Sequence, residues 1–235
     1  MGGMDREKVE ACIVILENLY GEPSAEETDP VDLLILTILS QNTSDVNSLR
    51  AFGLLKSAYP EKEDLLKASE EEIADKIRLG GLAEIKAHRI KEAMMRINRD
   101  AGALDLGFLV NMDKEEATNY LLSLPGVGPK TASVVLLFAF RMPTMPVDTH
   151  VYRVSQRLGL VPKGSNIQKT QQLLEEITPP EKYLSLHLNL IRHGRSICKA
   201  RAPRHENCGL RHLCDCYLRA QTLNDSNNHP HSALL

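Results

Sequence analysis

Apolar residues recur three and four positions apart along almost the whole chain: Val9, Ile13, Leu16 and Tyr20; Ile85, Ile90, Met94 and Ile97; Val147, Val151, Val154 and Leu158. That is the period of one helix face, and alternating runs between hairpin turns are missing. The spacing predicts an all-α protein. Glycine and proline break the pattern at Gly21-Glu22-Pro23, Tyr59-Pro60, Gly80-Gly81, Leu106-Gly107, Pro125-Gly126, Met142-Pro143, Pro162-Lys163-Gly164 and Pro179-Pro180. This punctuation cuts the chain into about ten to twelve helices of roughly 8 to 15 residues. With 235 residues, 43% of them hydrophobic, the chain can bury a substantial core as one large domain or two small intimate ones. Residues 217–235 are rich in Asn, Ser and His, have little to bury, and are expected to form a disordered tail.

The longest apolar runs, such as Val134 to Phe140, fall far short of the roughly 18 residues a membrane span needs. The opening residues, Met1 to Glu7, lack the basic-then-apolar pattern of a secretory signal peptide. The expectation is an intracellular protein with no membrane partner. Its formal charge of −3 conceals a gradient: residues 1–80 carry −9, residues 81–140 carry 0 and residues 141–220 carry +7. Such asymmetry suggests a C-terminal part that faces a polyanion, although clustered Arg and Lys also make an ordinary solvated surface.

Leu124-Pro125-Gly126-Val127-Gly128-Pro129-Lys130-Thr131-Ala132 lies between two apolar helical patterns, Glu115 to Leu122 and Thr131 to Phe140. Gly126 and Gly128 permit a tight turn, and Pro129 suits the first turn of the following helix. Backbone N–H groups at a helix start, with the helix dipole behind them, bind phosphate oxygens without reading sequence. A plain helix-to-helix turn is the other reading. Asp148 stands before the apolar helix of Val151, Val154 and Leu158, where a carboxylate serves as an N-cap.

These residues resemble the helix-hairpin-helix DNA glycosylase superfamily, and closely its endonuclease III branch. The resemblance covers about residues 30 to 216 and rests on several ordered motifs. They are the hairpin string at 124–130, Pro-Val-Asp-Thr-His-Val at 146–151, Gly-Gly-Leu-Ala at 80–83 followed by Lys86-Ala87, and the C-terminal cysteine segment. Lys130 and Asp148 lie 18 residues apart, as the family pattern requires. The resemblance implies that Lys130 is a nucleophile that attacks C1′ of the damaged nucleotide, expels the base and forms a Schiff base, through which β-elimination cuts the strand. An ordinary lysine is only about 0.04% free amine at neutral pH, so its site must favour deprotonation. Asp148, by the same resemblance, stabilises the positive charge that builds on the sugar and helps Lys130 lose its proton.

Such an enzyme must flip the nucleotide out of the duplex and fill the gap. Ser40-Gln41-Asn42-Thr43-Ser44-Asp45 is the expected source of the plug. Alignment on Asp45 puts Asn42 rather than Gln41 at the family's inserting glutamine, and both are candidates. Ser44 or Asp45 could equally cap the next helix. Leu82 is the candidate apolar wedge on the opposite strand, or else a buried loop leucine.

Cys12 reads as core, while Cys198, Cys208, Cys214 and Cys216 crowd one segment, where metal is favoured over disulfide. The endonuclease III pattern is Cys-x6-Cys-x2-Cys-x5-Cys around a 4Fe-4S cluster. Counted from Cys198, the second ligand is His205, while Cys208 and Cys214 fall in register. His205 could ligate iron, Cys216 could supply a fourth thiolate, or the site could hold zinc or no metal. Lys199, Arg201 and Arg204 in the same loop are candidate phosphate contacts.

The resulting expectation is two helical lobes flanking a DNA-binding cleft. Residues 31–140 form a helical barrel ending in the hairpin, and residues 1–30 with 141–216 form a discontinuous metal-bearing lobe. Lys130 and Asp148 should face each other across the cleft. The resemblance implies a monomeric bifunctional glycosylase and abasic-site lyase that removes oxidised pyrimidines from double-stranded DNA, in the cytoplasm or nucleoid of a prokaryote. Rival readings are a monofunctional glycosylase of the same fold, or a non-catalytic DNA-binding hairpin protein.

Overall fold

The computed structural model describes residues 2–24 and 27–227. Among these the chain is all-α, with no strand. In order its helices are α1 (Gly2–Tyr20), α2 (Pro30–Leu39), α3 (Asp45–Ala58), α4 (Lys62–Lys67), α5 (Glu70–Ile77), α6 (Ala83–Ala101), α7 (Lys114–Ser123), α8 (Pro129–Phe140), α9 (Thr149–Leu158), α10 (Ile167–Ile177), α11 (Tyr183–Ser196) and α12 (Asp215–Asn227). Short 3-10 turns join several of them, including Arg78–Gly80 ahead of α6. The chain divides into two units, Glu26–Thr144 and Met1–Ala25 with Met145–Leu235. These borders differ by a few residues from the 31 and 140 expected from sequence.

In the continuous unit α2 is the hub. Asp29 caps it by accepting from the N–H groups of Val31 and Asp32, and Pro30 occupies the first helical position, where no N–H is needed. Val31, Leu33, Leu34, Ile35, Ile38 and Leu39 are all buried, so α2 has little solvent face, and α3, α6 and α8 pack around it. The start of α8 is equally apolar, with every residue from Thr131 to Leu137 buried. Capping boxes at Ser69 with Glu72 and at Asp113 with Glu116 set where α5 and α7 begin.

In the discontinuous unit α1 buries Val9, Cys12, Ile13 and Leu16 and packs on α10 and α11, while α9 packs on α11 and α12. Cys12 is core, as its helical phase implies, and burial pushes its thiol up to about 12. One expectation needs correcting. Residues 217–227 continue α12 as helix where an irregular tail is expected; Asp215 in its first turn pairs with Lys8 of α1 at 2.6 Å. That long-range anchor cannot be read from local composition. Residues 228–235 of the expected tail lie outside the described residues.

Candidate functional site

The hairpin is built by two buried side chains and one special glycine. Leu124 and Val127 are buried, and the Val127 N–H donates to the Leu124 carbonyl at 3.1 Å. Pro125 and Gly126 take the two corners, with Gly126 at φ +78°, the left-handed conformation a Pro-Gly turn demands. A Cβ at Gly126 would lie 2.7 Å from Cδ and 2.9 Å from Cβ of Arg89, so close approach requires glycine as well. Gly128 is different: it is the N-cap of α8 with an ordinary φ of −100°, and a Cβ there would meet nothing within 4 Å. The expectation that both glycines serve the tight turn holds only for Gly126. What Gly128 leaves is open backbone beside the first turn of α8, whose N–H groups no capping side chain covers. Pro129 is the first residue of α8 and Lys130, half-buried, the second.

The two plug candidates separate clearly. Gln41 is half-buried and anchored: its Nε2 donates to the Gly126 carbonyl at 2.9 Å, and its Oε1 accepts from Arg89 Nη1 at 3.2 Å. Asn42 is exposed, in the left-handed region at φ +54°, which asparagine tolerates better than most residues. Ser44, not Asp45, caps α3, accepting from the Asn47 N–H. Leu82 is 51% exposed rather than buried and sits at φ +52°, which costs a leucine on the order of 1–2 kcal/mol. It stands immediately before α6. Four residues into that helix, Lys86 is 1% exposed, its Nζ donating to the carbonyls of Leu39 and Gly80 at 2.7 Å each. Burial holds its ammonium below the usual lysine range.

In the other unit Asp148 caps α9, its Oδ1 accepting from the N–H groups of His150 at 2.8 Å and Val151 at 2.7 Å. The cap makes no use of Oδ2. His150, with Arg153 Nη2 3.1 Å from its Nδ1, is held below the usual histidine range, chiefly by burial. Lys130 and Asp148 belong to different units.

Cys198, His205, Cys208 and Cys214 line one cavity, together with His193 and Arg157. Cys216 is exposed in the first turn of α12 and is not among the residues that line this cavity. His193 is a cavity-lining histidine that sequence reasoning missed. It is buried on α11, with Nδ1 3.0 Å from the Tyr20 hydroxyl and Nε2 3.5 Å from Cys208 Sγ, and burial pushes it down to about 4. The available signal was a polar residue in phase with the buried Leu186 and Leu190. Among the described residues no three His, Cys, Asp or Glu side chains converge closely enough to hold a single metal ion. A cubane cluster is bound at separate corners by separate ligands, and three thiols with an imidazole around one cavity match that chemistry.

Two arginines of α9 brace the same loop. Arg157 donates to the carbonyls of Lys199 at 2.6 Å and Ala200 at 2.9 Å, and Arg153 to those of Cys198 at 3.1 Å and Gly194 at 2.9 Å. The Cys214 thiol donates to the Arg157 carbonyl at 3.2 Å. Lys199, Arg201 and Arg204 are exposed on this loop, and Arg204 also lines the cavity.

The pattern of the HhH-GPD superfamily of base excision DNA repair proteins matches residues 35–180. A chain of Arabidopsis thaliana described as a DNA glycosylase is 41% identical over 176 residues, 74% of this chain and 60% of that one, so this chain spans less than two thirds of that relative. Endonuclease III of Thermotoga maritima is 36% identical over 195 residues, 83% of this chain and 86% of that enzyme. Endonuclease III trapped as a covalent intermediate with DNA superposes with a TM-score of 0.78 at 29% identity, covering 92% of this chain and 98% of that one.

Proposed function

The chain belongs to the HhH-GPD superfamily of base excision DNA repair proteins, in its endonuclease III-like branch, and on that footing we propose that it is a bifunctional DNA glycosylase and abasic-site lyase acting on oxidised pyrimidines. Membership makes it a base excision repair glycosylase. The lyase step rests on one observation: Lys130 is the second residue of α8, directly behind the hairpin. The positive end of the α8 dipole works against a further positive charge on an amine held there. The related endonuclease III that was trapped covalently on DNA supports the same reading.

In this reading the Lys130 amine attacks C1′ as the glycosidic bond breaks, and the base leaves with its bonding electron pair and a proton. The Asp148 carboxylate stabilises the sugar cation and takes the proton that the amine releases. Ring opening breaks the C1′–O4′ bond, O4′ takes a proton to become the 4′-hydroxyl and C1′ becomes a Schiff base with Lys130. Loss of a C2′ proton then drives β-elimination, which breaks the C3′–O bond and releases the 3′ phosphate. Asn42 fills the vacated position in the duplex, with Gln41 holding its loop to the hairpin, and Leu82 wedges the opposite strand. Backbone at Gly126 and Gly128, with Lys199, Arg201 and Arg204, contacts phosphates. The partner is double-stranded DNA carrying a damaged base or abasic site, bound by a monomer. Cys198, His205, Cys208 and Cys214 would hold a 4Fe-4S cluster, which would supply rigidity to the basic loop.

The test is borohydride trapping on abasic-site duplex. Wild type should form a covalent adduct and Lys130→Gln none. Base release by a wild type that forms no adduct would favour the monofunctional alternative.

A further inference from the structure

Lys86 is the most unusual side chain in the continuous unit. Lysine is almost never fully buried without a counter-charge, because its ammonium loses more hydration than neutral surroundings return. Here the partners are two carbonyls, and their positions explain the arrangement. Leu39 is the last residue of α2, and Gly80 is the last residue of the 3-10 turn Arg78–Gly80. Carbonyls at helix ends lack intrahelical partners and carry the negative end of the dipole, which favours a cation. One ammonium therefore closes two helix ends at once.

Each of those ends opens directly into a loop. Three residues after Leu39 comes Asn42, and two after Gly80 comes Leu82. Both are exposed and both are in the left-handed region. One turn further along α6, on the same face, Arg89 holds Gln41 and packs against Gly126. The plug loop, the wedge loop and the hairpin are thus referred to one helix face, and Lys86 is the point at which the first two meet.

We propose that Lys86 is a positioning residue that sets the spacing between Asn42 and Leu82, so that the plug and the wedge enter the duplex together. The proposal rests on the reading above that these two side chains enter DNA. It separates flipping, which needs both loops in register, from the chemistry that follows, which needs Lys130 and Asp148. A staple that merely stabilised the fold would affect both alike.

The experiment compares Lys86→Met with wild type on two substrates under single turnover: duplex carrying an oxidised pyrimidine, and single-stranded DNA carrying an abasic site, where nothing has to be flipped. Excision from the duplex should fall by about 10²-fold, the scale of loss when reacting groups are misplaced by about 1 Å. Strand cleavage of the single strand should change by less than about threefold. Equal losses on both substrates, or no loss on the duplex, would overturn the proposal. Amide hydrogen exchange gives a reading that does not need activity: residues 40–43 and 80–83 should lose protection together, and unchanged protection in either loop also overturns it. A wild type inactive on both substrates would sink the function reading instead, and exchange alone would then decide whether Lys86 couples the loops. Should Lys86→Met not fold, Lys86→Gln, which keeps neutral donors, carries the same readouts.

Discussion

Asp148 shows how one side chain serves fold and chemistry through different properties. Capping α9 needs an acceptor oxygen, and both cap bonds fall on Oδ1. Stabilising a sugar cation needs a negative charge. Asparagine supplies the first and lacks the second. Asp148→Asn should therefore leave the urea unfolding midpoint nearly unchanged while abolishing base excision, whereas Asp148→Ala should lose the activity and also about 1 kcal/mol of stability. Unfolding curves beside excision assays distinguish the two; an active Asp148→Asn protein would remove the charge from the mechanism. The cap was legible from an aspartate before an apolar helical pattern. The division of labour between Gln41 and Asn42 was not, because adjacent polar residues look alike until the Gly126 carbonyl and Arg89 engage one of them.

Among the elements, the loop between α11 and α12 combines legible and hidden parts. The spacing of Cys198, Cys208 and Cys214, and the histidine standing at 205, are plain in the sequence. Their arrangement around one cavity, the brace from Arg153 and Arg157, and His193 behind Cys208 depend on how α9, α11 and the loop pack. With thiolates from the loop as ligands, the purified protein should be coloured and contain iron and acid-labile sulfide in equal amounts. Cys208→Ser should lose most of both, and His205→Cys should retain them. Stoichiometric zinc, or a colourless protein free of iron, would refute the cluster. The helix at Asp215–Asn227 teaches the same lesson: a segment with few apolar residues has its start tied to α1 through the Lys8–Asp215 ion pair.

For the whole molecule, the total charge of −3 is less informative than its distribution, since the segment from 141 to 220 carries +7. If Lys199, Arg201 and Arg204 each neutralise a phosphate, replacing all three with alanine should flatten the slope of log affinity against log salt by about 3 units. Titration of abasic-analogue duplex at several salt concentrations measures this, and an unchanged slope would remove the loop from the interface. By itself the sequence determined the helical class, the hairpin, the register of Lys130 and Asp148 and the cysteine spacing. These are local or periodic properties, set by backbone sterics, capping and the 3.6-residue repeat. Tertiary structure alone decided that Gln41 anchors, that Lys86 ties two loops, that His193 stands behind a thiol and that Cys216 stands outside the cavity. Those outcomes depend on which polar groups, distant in sequence, must satisfy one another once the surrounding core excludes water.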